Sequence, residues 1–279
     1  MTGHRNNPAA PTRGRENNKD ISIEHVDSRE TAEIFSNAET LRKVIREHVM
    51  PTVGAADKAP RLPDLDVDVL YTRVIGDDEA GLRSVIPILL KHKVTFEEFH
   101  DALLQPVFEM LQDGWQNDSI DFLTIELATA RVQMICNALV HHRLKLRKDG
   151  ADTGPTVLLA QCADESHTMA LNVVRAFFTD AGWDVDGGAD VSPRSGLFET
   201  LGTAEYDVLA LSSGHQNNAV VASVIERVRQ VSMNSELAIC LGGPSVREEP
   251  ARFDGVGADV IVSSAGEAVS VSAKVLEAH

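Results

Sequence analysis

The chain has 279 residues, 43% of them hydrophobic and 24% charged, and a formal net charge of −16. That length holds one large or two ordinary domains with real cores, and the acidic balance excludes a chain that by itself coats DNA or an anionic membrane, since both require clustered cations. The sequence shows no apolar run that approaches a membrane span and no signal-peptide core at its polar N-terminus, so the cytoplasm is the expected location.

Residues 1–25 are rich in Asn, Arg, Pro and Gly and read as a solvated tail. Asp27-Ser28-Arg29-Glu30 has the form of a capping box and predicts a helix to about residue 49, stopped by Pro51. With Pro60 and Pro63 in the stretch that follows, residues 1–66 read as tail, helix and linker. Apolar residues at helical spacing then predict helices at 67–75 and 77–91. Thr95-Phe96-Glu97-Glu98 is a second capping box. It opens a helix through Phe99, Leu103, Leu104, Val107, Phe108 and Leu111, with Gly114 as its stop. Ser119-Ile120-Asp121 starts a long helix through Leu123, Leu127, Val132, Ile135, Leu139 and Leu144. Residues 67–148 are therefore expected to form an all-α helical bundle.

Residues 146–155 read as a polar hinge, after which strands and helices alternate. Strands are predicted at 157–162, 183–186, 208–212, 237–241 and 260–263. Helices are predicted at 167–181, 196–205, 217–231, 246–252 and 266–279. This is an α/β pattern, most simply a flavodoxin-like, doubly wound five-stranded parallel sheet of order 2-1-3-4-5 over residues 155–279. Cys136, Cys162 and Cys240 all sit in apolar runs without a Cys-x-x-Cys pair, which reads as buried reduced thiols.

In such a sheet a ligand sits beyond the carboxyl ends of the strands where their order reverses, here between the first and third. The loop after the first strand carries Ala163-Asp164-Glu165-Ser166-His167. A carboxylate two residues before a histidine can hold the imidazole's far nitrogen while the near one meets a ligand. Ser212 ends the third strand, and Gly242-Gly243 end the fourth, where missing side chains let backbone approach a ligand closely. Taken singly, His167 and His215 read better as loop histidines without a ligand. His141-His142, among Arg143, Lys145, Arg147 and Lys148, suits the dipole at a helix C-terminus.

The spacing of these pieces resembles the signature of the cobalamin (B12)-binding domain family: Asp-x-His-x-x-Gly, about 41 residues, Ser-x-Leu, about 27 residues, Gly-Gly. Here Glu165-Ser166-His167-Thr168-Met169-Ala170 is followed by 41 residues, then Ser212-Ser213-Gly214, then 27 residues, then Gly242-Gly243. The resemblance implies His167 as the lower axial ligand of cobalt, with Glu165 on its other ring nitrogen. It implies Ser212 on the buried base of the nucleotide tail, and Gly242 and Gly243 as the room for that tail. Glu165 replaces Asp, Ala170 replaces Gly and Gly214 replaces Leu, so the tail site is a divergent one. The upstream helices are similar to the cap bundle of methionine-synthase-type modules, whose signature is a tryptophan followed by Glu-His on the next helix. By that likeness Trp115 and Glu126 face the upper side of the corrin; by their own pattern they are bundle core and the polar side of a helix.

Three functions follow as expectations. The first is a cobalamin-dependent, light-responsive sensor that is not an enzyme. It resembles the stand-alone antirepressors of the AerR/PpaA group, which implies control of photosynthesis genes through a repressor of the CrtJ/PpsR type, without specific DNA binding of its own. The second is a corrinoid methyl carrier. The third is a haem-binding module, since an imidazole serves either metal.

Overall fold

The computed structural model describes residues 62, 64–147, 154–164 and 169–278, apart from the side chains of residues 147 and 278. The tail, the expected helix at 27–49, and Glu165 and His167 lie outside the described residues.

The bundle comprises α1 (Val67–Ile75), α2 (Glu79–Lys91), α3 (Phe96–Phe99), a π turn (His100–Leu104), α4 (Gln105–Gln116) and α5 (Phe122–Arg147). Side-chain oxygens satisfy the first free amides of these helices. Asp66 accepts from the Val69 N–H and Asp78 from the Gly81 N–H, each at 2.8 Å. Thr95 and Glu98 close the expected capping box. Asp121 accepts from the Thr124 N–H at 2.8 Å and starts α5.

The segment from Phe96 to Gln116 departs from the expected single α-helix in two places. The π turn ends two residues before Pro106. A proline has no N–H to give, and its ring crowds the carbonyl four residues back. A wider turn just ahead of it relieves both conflicts. Gly114 does not end the helix. It is buried inside α4, where a Cβ would meet Ile120 at 3.0 Å. The chain turns two residues later, and its return is fixed by the Ser119 and Ile120 amides, which donate to the Gly114 carbonyl at 2.8 and 3.2 Å.

The second half contains β1 (Thr156–Gln161), α6 (Met169–Asp180), β2 (Asp184–Gly187), α7 (Leu197–Thr203), β3 (Val208–Ser212) and α8 (Asn218–Val231). It continues with β4 (Ala238–Gly242), α9 (Pro244–Glu248), a 3₁₀ turn (Pro250–Phe253), β5 (Val260–Ile261) and α10 (Ala265–Ala278). The expected helix at 246–252 is split because Pro250 cannot continue α9. All strand pairs are parallel and the sheet order is β2-β1-β3-β4-β5. This is the flavodoxin-like arrangement that the alternation of elements requires. The central strands are buried on both faces. Leu158, Leu209, Leu211 and Ile239 pack under Val221, Ile225 and Val246 on one side. Val157, Leu159, Ala210 and Cys240 pack under Leu171, Phe178 and Ala268 on the other.

Helix α6 belongs to both halves. Its Leu171 and Phe178 lie on the sheet, while Met169, Val173, Ala176 and Phe177 enter the core of the bundle. At its C-terminal end Asp180 accepts from the Phe96 N–H at 2.9 Å and pairs with Arg143 at 2.6 Å, tying the starts of α3 and the last turns of α5 to the same carboxylate. The stretch Phe122–Leu146 of α5 is, by length and composition, apolar enough to cross a membrane, contrary to the reading of the sequence. In the fold its Ile125, Ala128, Val132, Ile135 and Cys136 are spent on the bundle core.

Candidate ligand-binding site

Register decides what meets at the carboxyl edge of the sheet. Gln161 of β1 lies beside Ser212 of β3, which lies beside Gly242 of β4. Below this row, toward α6 and α10, the lining residues Ala210, Cys240, Ala170, Gly266 and Ala268 are all small. Small residues between a sheet and two helices leave space that larger ones would fill. The result is a cavity of about 580 Å³, within the range of small-molecule and cofactor sites. Its floor includes Ser212, Gly242 and Gly243. Its walls are the first turns of α6, with Met169 and Ala170, and of α10, with Ala265 to Glu267.

Gly243 has φ +108, a conformation that side-chain-bearing residues rarely adopt. A Cβ there would lie 2.5 Å from the Ser213 carbonyl oxygen, 2.7 Å from the Ser213 nitrogen and 2.9 Å from Ser212 Oγ. At Gly242 a Cβ would press on Val262 at 3.1 Å. The double glycine therefore brings two loops into contact and keeps the cavity floor bare. Gly214 sits just beyond this floor and does not line the cavity. It is buried, its N–H donates to Gln216 Oε1 at 2.9 Å, and its carbonyl accepts from the Ser245 hydroxyl.

The roof is formed by the bent helix α3–π–α4. His100, Asp101, Gln105, Phe108 and Glu109 line the cavity from above. His100 is 4% exposed and packs edge-on to Phe177 at 5.1 Å. Its Nδ1 and Asp101 Oδ1 are 2.7 Å apart, which fixes the ring's orientation. The π turn sets this roof, because one extra residue per turn rotates His100 and Gln105 toward the sheet. The sequence signal that could have located it is Pro106 within an otherwise continuous helical pattern.

Trp115 and Glu126 do not line this cavity. Trp115 packs its ring edge-on to Phe122 at 6.4 Å, where α4 hands over to α5. Glu126 is exposed on the outer side of α5, whereas its neighbour Ile125 points inward. Among the described residues no group of three or more His, Cys, Asp or Glu is placed to hold a bare metal ion. Burial pushes the Cys136 and Cys240 thiols up to about 12, so both stay protonated at neutral pH.

Comparison with known proteins now has a geometry to be measured against. The B12 binding domain family matches residues 155–273, the segment that forms the sheet and its helices. Over those residues the chain is similar to a B12 binding domain. A Rhodobacter capsulatus protein described as an "uncharacterized 20.5 kDa protein in bchF-crtJ intergenic region" is 20% identical over 182 residues, covering 63% of this chain and 91% of that one. Among solved structures, the Methanosarcina barkeri monomethylamine corrinoid protein superposes with a TM-score of 0.56 at 15% identity. It covers 76% of this chain and 98% of that one, so the shared fold extends beyond the B12 binding domain into the bundle. In that frame Ala170, Ser212, Gly242 and Gly243, placed by the sequence in the signature, lie together on one cavity. The bare floor is the feature of this cavity that leaves room for a large cofactor.

Proposed function

We propose that the protein binds cobalamin in this cavity and acts as a light-responsive antirepressor through a protein partner of the CrtJ/PpsR type, without catalysing a reaction of its own. The observation that carries the reading is the cavity at the carboxyl edge of β1, β3 and β4, floored by the double glycine and roofed by the bundle. The domain match to the B12 binding family supports the ligand. The Rhodobacter capsulatus relative, whose description places it between bchF and crtJ, supports a link to photosynthesis genes. The net charge of −16 favours a protein partner over direct reading of DNA, in a cytoplasmic setting.

His167 would present its imidazole to the lower face of cobalt, with Glu165 on the other ring nitrogen. Ser212 would bond to the buried base, and Gly242 and Gly243 would leave the tail its room. Ala170 narrows the entrance by a methyl group. Bound cobalamin supplies a light-sensitive cobalt–carbon bond and exchangeable axial positions. Because α6 gives Met169 and Ala170 to the cavity and Met169, Val173 and Phe177 to the bundle core, a change at the ligand has a direct mechanical route to the bundle surface.

The test is His167→Ala. The variant should keep its far-UV circular dichroism and lose corrinoid on desalting. Undiminished retention with an unchanged absorption spectrum would remove His167 from the site. A corrinoid methyl carrier is the second reading, favoured by the fold shared with the monomethylamine corrinoid protein. It predicts bound corrinoid that accepts a methyl group from a partner enzyme and a surface indifferent to light.

A further inference from the structure

Helix α5 is apolar on two opposite faces. The inner face carries Ile125, Ala128, Val132, Ile135 and Cys136 and is buried in the bundle. The outer face carries Leu123, Leu127, Ala130, Met134, Asn137, His141 and Leu144, all exposed. Leu123 is 64% exposed, Met134 56% and Leu127 44%. The spacing of this outer row alternates four and three residues without a break, which is the 3.5-residue period of a coiled-coil seam rather than the drift of a solvated helix face. A bundle helix with nothing to cover would carry charge there.

We propose that this seam is an interface between two copies of the chain, with the α5 helices antiparallel about a two-fold axis near residue 132. Three observations favour a second copy. First, the row is self-complementary. A two-fold at that point sets Ala130 against Met134 of the other copy, a small residue facing a large one, and brings Leu127 opposite Asn137 and Leu123 opposite His141. This is an isologous interface, closed at two. Second, the charges on the helix are split by end. Asp121 and Glu126 lie at its start and Lys145 at its end, where Arg143 is already paired with Asp180. Antiparallel pairing sets acidic end against basic end and opposes the helix dipoles, whereas parallel pairing stacks like on like. Third, full burial of the seven residues on both copies would remove on the order of 1,200 Å² from water, the lower edge of what a stable interface needs. The same placement explains Glu126, which flanks the seam as a charged residue at a coiled-coil edge does. The inference is independent of the ligand assigned to the cavity.

Sedimentation of the full chain at micromolar concentration tests it. The wild type should run at twice the monomer mass of 30.3 kDa. Leu127→Glu and Met134→Glu should each run as a monomer, with unchanged circular dichroism because both side chains already face solvent. The doubly substituted Leu123→Cys/His141→Cys chain should oxidise to a covalent dimer on a non-reducing gel, and Leu123→Cys alone should not. Rapid cross-linking of Leu123→Cys alone would overturn the antiparallel arrangement. A monomeric wild type, or a dimer indifferent to both glutamates, would overturn the interface. In a monomer, Leu127→Cys shielded from a thiol reagent would assign the seam to the chain's own N-terminal segment. Pelleting of a monomer with phosphatidylcholine vesicles would assign it to a lipid surface.

Discussion

At Gly243 the fold leaves no room for even one methyl group. The position combines φ +108 with a Cβ location 2.5 Å from the Ser213 carbonyl oxygen. Gly243→Ala is expected to cost about 1–3 kcal/mol in urea denaturation, through backbone strain and the clash. It should also release corrinoid on desalting. Ala170 lies on the same cavity but on the first turn of a regular helix. Ala170→Gly should therefore cost stability, about 0.5–1 kcal/mol, while slowing the loss of bound cobalamin by widening the channel. Opposite signs for retention at these two positions would be hard to obtain if the ligand sat elsewhere. His100 gives a third handle. It is buried on the cavity roof with Asp101 on its ring nitrogen, so His100→Phe should preserve packing against Phe177 and alter the absorption spectrum of bound corrinoid rather than its retention.

Among the elements, α6 and the caps around it hold bundle and sheet together. Asp180 serves two partners at once, the Phe96 N–H and the Arg143 guanidinium. Asp180→Ala is expected to lower stability by about 1–2 kcal/mol, mostly through the lost cap, because the ion pair is partly open to water. Urea midpoints measure it. Asp121 at the start of α5 has its carboxyl held below the ordinary range by the Thr124 side-chain and backbone donors. A depressed folded-state pKa adds stability that is present above the unfolded value and lost as pH falls through the folded one. Asp121→Ala should therefore lower the melting temperature at pH 7, and the difference from wild type should close in acid below pH 4. The strand order, the parallel sheet and most helix positions were legible in the sequence, because alternation and helical spacing are local properties. So was the convergence of Ala170, Ser212, Gly242 and Gly243 on one cavity, since one edge of a parallel sheet collects residues far apart in the chain. The roof was not. Trp115 and Glu126 lie outside this cavity, and because α5 is apolar on two sides only packing against α1 and α6 decides which side turns inward. Gly114 as a stop and residues 246–252 as one helix failed for related reasons. A buried contact with Ile120 overrode the glycine, and Pro250 broke the pattern from within.

At the scale of the whole molecule, the described residues join a cavity and a helical bundle through one shared helix. Cavity wall and bundle core both use Met169, so on the proposed function a ligand that leaves the site would alter the support of the bundle. An antirepressor needs no turnover, only two surfaces of different affinity for its partner. The wild-type protein, incubated with hydroxocobalamin or adenosylcobalamin, desalted, and recorded by absorption before and after illumination, puts the account at risk. The account predicts corrinoid that elutes with the protein and a spectrum that changes on illumination of the adenosyl form. Protein that emerges colourless from both incubations would contradict it.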